Sequence, residues 1–278
     1  MDFSFLESLL YGLVAGISEF LPISAQAHRA ILLKLFGAQT EGHLLRLMVH
    51  IGVFAALLVC CWGQVNRLQR EQALARIPKR RRKRQPDQKT MLDRKIVKSA
   101  FFPAALGFIL YAYTAQWETD LSKVSLFLIL NGIFLFLPRI LPSGNKDSRS
   151  MTGFDSLLIG LCGGLGMLPG ISRTGFATTA ALIRGADRQQ ALNWSYLLSI
   201  PILIGLMILD IYGMITFGVA SLSFSLFLQY LASAAVAFGG AYFAIHFMRF
   251  IAVNAGFVGF AYYSWGAALF SFIFYLTI

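Results

Sequence analysis

Two short polar stretches interrupt an otherwise oily chain. The first, "ISEFLPISAQAH" (Ile17–His28), carries Glu19, Ser24, Gln26 and His28 between the apolar runs Phe5–Ala15 and Ala30–Phe36. The second, "PGISRTG" (Pro169–Gly175), carries Ser172, Arg173 and Thr174, with Thr178 and Thr179 just beyond. The second stretch reads as an anion site. Gly170 and Gly175 free the backbone, Ser172 and Thr174 bring hydroxyls, and a helix starting near Thr174 turns its first amides inward. Arg173 adds a two-pronged donor suited to phosphate. The first stretch brings His28, a candidate acid, base or nucleophile. It also brings Glu19, whose oxygens suit a hard cation such as Mg²⁺ or Ca²⁺. Phosphate, carboxylate, imidazole and guanidinium together suggest phosphoryl transfer on a lipid. The plainer reading has Arg173 only bridging to Glu19, since a lone charge at the bilayer centre costs about 2.5–3.5 kcal/mol on insertion scales.

These residues need elements to carry them. The chain is 57% hydrophobic and 14% aromatic, with mean hydropathy +0.65. Apolar runs at Leu44–Gly63, Phe101–Ala115, Val124–Leu141, Trp194–Met214, Phe224–Met248 and Val253–Ile278 each approach the ~20 residues that span a bilayer. The expected fold is an all-α integral membrane protein of one domain, residues 1–278, with about six transmembrane helices. Segments 5–37 and 154–186 do not fit as spans, because Pro22 and Pro169–Gly170 break them. Their arms of about 14 residues reach roughly 21 Å, short of a ~30 Å core. Each is expected to be a re-entrant hairpin, and the three spans between them make them enter from opposite faces. The hairpins also resemble each other. "GLVAGISEFLPIS" (Gly12–Ser24) matches "GLCGGLGMLPGIS" (Gly160–Ser172), and Gly12/Gly16 and Gly160/Gly164 form small-residue faces for close helix approach. The expectation is an inverted repeat, about 1–141 and 150–278, with both tips at a buried cavity.

Charge sets the topology. The net charge is +11, and Gln64–Lys98 alone holds 13 Lys/Arg against 3 Asp/Glu. This segment is expected to be a basic cytoplasmic loop obeying the positive-inside rule, ahead of a reading in which Lys79–Arg84 binds nucleic acid or anionic lipid; no nucleic-acid partner is expected. The other basic residues then fall on the same side, and the acids of "AQWETD" outside. The start of the chain carries Asp2 and Glu7 rather than a basic signal-peptide head. Cys60, Cys61 and Cys162 have no metal or disulfide spacing. His43 and His50 are expected to be structural, Asp210 a helix-end or gate residue, Asp187 and Arg188 a helix start. Asn131 and Asn193 are expected to be interhelical hydrogen-bond donors.

At the two tips the sequence resembles the undecaprenyl-pyrophosphate phosphatases, or bacitracin-resistance phosphatases. "SEFLPISAQAH" is similar to that family's "TEFLPxSSxGH", and "LPGISRTG" to its "PGxSRSG"; the likeness covers nearly the whole chain. The resemblance implies a bacterial inner-membrane enzyme that hydrolyses undecaprenyl diphosphate to the monophosphate at the outer side with a divalent cation, Mg or Ca. It implies polyprenyl diphosphate and membrane lipids as partners, and leaves a homodimer open. It assigns catalysis to Glu19, His28 and Arg173, metal binding to Glu19, and phosphate binding to Ser24, Ser172, Arg173, Thr174, Gly175 and Thr178. The chain also departs from the pattern. Ala15 stands where the family has a second glutamate, Ala25 at the second serine, Ala27 at the glycine before the histidine, and Ala177 at a threonine. A polyprenyl-phosphate transporter on the same scaffold, with little or no hydrolysis, is therefore the alternative function, and a carrier of small solutes a third.

Overall fold

Ser4 and Thr152 start the two broken helices in the same way. Each accepts a hydrogen bond from the residue three ahead, Glu7 or Asp155, whose carboxylate reaches back to the cap's own N–H. Helix α1 (Phe5–Phe20) then stops because Leu21, ahead of Pro22, is driven to extended backbone (φ −81°, ψ 148°). Ser24 caps α2 (Ala25–Leu35). In the second half, α7 (Gly153–Leu165) closes at Gly166, and Ser172 caps α8 (Arg173–Ile183). Between them Gly170 sits at φ +102°, where a Cβ would lie 2.6 Å from Phe127 Cβ, so the turn requires glycine. The four arms are 16, 11, 13 and 11 residues long.

The structure is a computed structural model that describes residues 3–141, 144, 146, 148–218, 223–254 and 256–277. The remaining helices are α3 (His43–Arg76), α4 (Gln88–Ala105), α5 (Gly107–Thr114), α6 (Leu121–Ile140), α9 (Arg188–Phe217), α10 (Phe224–Asn254) and α11 (Gly259–Thr277). The likeness of the two broken pairs carries into their packing. On α1, a Cβ at Gly12 or Gly16 would sit 2.4 Å from Ser233 O or 2.3 Å from Ala237 O of α10. On α7, a Cβ at Gly160 or Gly164 would sit 2.1 Å from Ala100 O or 3.0 Å from Ala104 O of α4. In both halves glycines four apart let one helix lie against carbonyls four apart.

Polar contacts sort the helix ends. At one end Asp93 Oδ1 accepts from Trp194 Nε1 and Gln190 Nε2, both at 2.9 Å, and from Ser148 Oγ; Arg184 there pairs with Asp155. At the other end Gln229 Nε2 donates to Phe3 O at 2.7 Å, and Tyr11 Oη to Glu41 at 3.0 Å. The pair α1–α2 therefore starts from one end of the bundle and α7–α8 from the other.

One expectation changes. The basic segment 64–98 is largely helix: α3 continues to Arg76 and α4 begins at Gln88, leaving residues 77–87 as the connector. "VNRLQREQALAR" contains no glycine or proline and is rich in helix formers, so only Pro78 ends it. Among the described residues five stretches are long and apolar enough to cross a membrane: His43–Arg76, Gln88–Trp117, Leu121–Ile140, Arg188–Phe217 and Phe224–Asn254. The sixth expected run becomes α11, 19 residues long, whose first half mixes Tyr262, Tyr263 and Ser264 with its apolar residues and lowers its hydropathy. Large apolar side chains stand outward, Leu6 at 75% and Ile215 at 78% exposure, as in a multi-pass membrane protein.

Candidate active site

Asn131 of α6 joins the two tips. It is fully buried. Its Nδ2 donates to Pro22 O at 3.1 Å and to Ser264 Oγ at 3.0 Å, and its Oδ1 accepts from Ser172 N–H at 2.9 Å. Ser172 Oγ also donates to Leu21 O at 3.3 Å. A Cβ at Gly175 would lie 2.8 Å from Pro22 Cβ, so the tips touch with no room for a larger residue. Asn131 is an interhelical donor, as expected; Asn193 is interhelical but accepts, its Oδ1 taking Gln64 Nε2 at 2.9 Å.

At this junction Arg173 Nη2 donates to Glu19 Oε1 at 2.6 Å, with the two side chains 7% and 11% exposed. Arg173 Nε is buried without a hydrogen-bond partner. The pair faces a cavity of about 40 Å³, whose wall includes Ser18, Glu19, Ala25, Gln26, Arg29, His50, Tyr111, Ser172 and Arg173. Ser172 and Arg173, the cap and first residue of α8, lie here, so the start of a helix and a guanidinium meet at one spot.

Other expected site residues lie elsewhere. Ser24 is the N-cap of α2 and takes the Ala27 N–H at 3.3 Å. It is held at φ +68°, a backbone conformation that costs a non-glycine residue about 1–3 kcal/mol. His28 does not line the cavity. Its Nδ1 lies 2.8 Å from Ser24 O, its Nε2 2.7 Å from Tyr263 Oη, and its ring stacks on Tyr263. Thr174, Gly175 and Thr178 border a separate pocket of about 10 Å³ with Phe20, Pro22 and Met248. Thr178 Oγ1 is buried there without a partner.

Sequence reasoning missed two features. The first is Arg29, buried at 7% exposure in the wall of the Glu19–Arg173 cavity; an arginine inside an apolar helix was the available signal. The second is a charged network beginning at that wall. His50 Nδ1 lies 2.6 Å from Asp210 Oδ2, and Arg46 Nε donates to Asp210 Oδ1 at 2.5 Å. Arg46 also stands 3.8 Å from Glu41 and 3.9 Å from Glu118, which accepts from Gln26 Nε2 at 3.2 Å. His50 and Asp210 are thus partners, joined across α3 and α9.

Glu19 does not by itself make a cation site. It is the cavity's one carboxylate, is bonded to Arg173, and shares the wall with a second guanidinium. Among the described residues no group of three or more His, Cys, Asp or Glu comes together to hold a metal. This donor set suits an anion better than Mg²⁺ or Ca²⁺, which gather oxygens.

Comparison with known proteins gives a consistent result. Residues 8–270 match the family described as bacitracin resistance protein BacA. A protein named undecaprenyl-diphosphatase from Carboxydothermus hydrogenoformans is 30% identical over 259 residues, 93% of each chain. One of that name from Halothermothrix orenii is 27% identical, over 92% of this chain and 93% of its own. Undecaprenyl-diphosphatase 1 of Shouchella clausii is 30% identical over 98% of this chain and 96% of its own.

Proposed function

The chain belongs to the bacitracin resistance protein BacA family, and from that premise we propose that it hydrolyses undecaprenyl diphosphate to the monophosphate and inorganic phosphate. The observation that carries the reading is the Glu19–Arg173 pair at 2.6 Å, set where the two broken helix pairs meet. Arg173 is already bonded to Glu19, so binding an anion exchanges partners. Phosphate oxygens take Arg173 and the first amides of α8, and Glu19 is released. Glu19 then orients a water and accepts its proton. The water oxygen attacks the terminal phosphorus, the bridging P–O bond breaks, and its electron pair leaves with the lipid monophosphate. Ser172 holds the α8 tip through Gly175 N–H at 3.2 Å. His28, turned to Tyr263, acts by positioning α2 rather than at phosphorus. The cavity's donor set gives no step to a divalent cation.

The reaction would return the lipid carrier for cell-wall synthesis at the cytoplasmic membrane. The basic connector would lie inside, and the Arg46–Asp210 network would face outward, in keeping with the positive-inside rule. Phosphate release from undecaprenyl diphosphate by the purified protein tests the reading. Arg173→Ala is expected to lose release by more than 10²-fold, and Arg173→Lys to recover little of it because a point charge lacks the fork. Wild-type turnover in Arg173→Ala would end the assignment.

One observation favours a second reading. Ala25 lines the cavity with no hydroxyl to offer, which suits a protein that binds the head group and carries the lipid without cleaving it. Arg173-dependent lipid movement in vesicles, with no phosphate release, would select that reading.

A further inference from the structure

Arg29 occupies an unusual position. It lies on α2, one turn beyond Ala25, and its side chain reaches the same cavity as Glu19 and Arg173. It is 7% exposed, and among the described residues no hydrogen bond or ion pair engages it. Glu19, Glu41 and Glu118 lie within electrostatic range of it, yet each has another partner: Arg173 at 2.6 Å, Tyr11 at 3.0 Å and Gln26 at 3.2 Å. A buried cation without a bonded anion is costly and persists where a ligand supplies the missing charge. The cavity wall carries a second guanidinium, that of Arg173, whose Nε is buried and unpartnered. Two guanidiniums therefore face one carboxylate, and the free donors point to an anion with more than one acceptor group.

We propose that Arg29 and Arg173 form a two-arginine clamp on the diphosphate, and that this clamp supplies the positive charge that a cation-holding pair of carboxylates would otherwise recruit. The proposal rests on the phosphatase reading for the identity of the head group. Arg173 takes the terminal phosphate and Arg29 the phosphate joined to the lipid. With Glu19 displaced from Arg173, two guanidiniums face the charge of the head group. Diphosphate binding then persists without a divalent cation. Arg29 is also a specificity residue, since a monophosphate leaves one guanidinium unfilled.

The test is binding of inorganic diphosphate to the purified protein in EDTA, followed by intrinsic fluorescence and by thermal stabilisation. Phosphate release from undecaprenyl diphosphate is measured on the same samples. Wild type is expected to bind within about threefold of its affinity in Mg²⁺. Arg29→Gln is expected to bind at least tenfold more weakly, and Arg29→Lys in between. Arg139→Gln, at the other end of the bundle, is the control. The unliganded melting temperature and circular dichroism check that each variant is folded, and the graded binding of Arg29→Lys and Arg29→Gln separates a ligand role from a structural one. Loss of wild-type binding in EDTA, or wild-type affinity in a folded Arg29→Gln, would overturn the clamp. Arg29-dependent binding with no phosphate release would leave the clamp standing and remove the phosphatase reading. Undiminished release by Arg29→Gln in EDTA would do the reverse.

Discussion

Replacing Asn131 by leucine tests whether one side chain holds the two tips together. The amide of Asn131 satisfies Ser172 N–H at 2.9 Å and Pro22 O at 3.1 Å, one main-chain group from each tip. Its third partner, Ser264 Oγ, keeps a bond to Phe260 O at 2.8 Å and loses less. Leucine is close in volume and leaves no cavity, so the cost is that of two buried main-chain groups left unpaired. At roughly 1–3 kcal/mol each, that is about 2–6 kcal/mol. At ~2 °C per kcal/mol, the melting temperature in detergent falls by about 4–12 °C. The site suffers as well, because Ser172 caps the helix that carries Arg173. A displacement near 1 Å there lowers turnover by about 10²-fold. Asn193→Leu is the control: it breaks a single side-chain pair with Gln64 and should cost less than about 2 kcal/mol with little change in turnover. Melting and phosphate release in Asn131→Leu that match wild type would refute the reasoning.

Other perturbations follow from the same contacts. Gly160→Ala drives a Cβ to 2.1 Å from Ala100 O, whereas Gly164→Ala meets Ala104 O at 3.0 Å, so expression and melting should suffer far more in the first; equal behaviour would count against the packing. Arg46→Gln strands Asp210, 2% exposed, with His50 alone and should cost about 3–5 kcal/mol, read as a lower melting temperature. Tyr263→Phe removes the His28 Nε2 partner, and its effect on phosphate release should equal that of His28→Asn; if His28→Asn abolishes release while Tyr263→Phe does not, the histidine works at phosphorus. Asp120, the cap of α6, is held at about 2 by hydrogen bonds from Ser122 and then Lys123, below its ordinary 3.8. Its contribution to stability is complete above the ordinary value and is lost as pH falls through the folded one, so the melting gap between wild type and Asp120→Ala should close on acidification.

Much of the arrangement was legible because local chemistry decides it. Pro22 and Pro169–Gly170 forbid continuous helix whatever surrounds them, and glycines four apart invite a close neighbour. Glu19 and Arg173 stood out because a charge among apolar residues needs a partner, and each is the other's. What escaped depended on tertiary contact. His28 and Arg29 are adjacent in sequence, yet the helix turns one toward Tyr263 and the other into the cavity. Spacing alone cannot rank them without knowing which face of α2 turns to the cavity. The network of Arg46, His50 and Asp210 joins residues 160 or more positions apart. The basic segment was taken for a loop on charge, although its Arg, Gln, Leu and Ala residues favour helix.

The central claim is that Glu19 competes with the head group for Arg173 and then serves the attacking water. Steady-state phosphate release from undecaprenyl diphosphate by Glu19→Gln, beside wild type, tests it most directly. Glutamine relaxes the grip on Arg173 and cannot take a proton. The account predicts KM equal to or below wild type with kcat reduced about 10²–10⁴-fold. Wild-type kcat in Glu19→Gln, or a loss confined to KM, would contradict it.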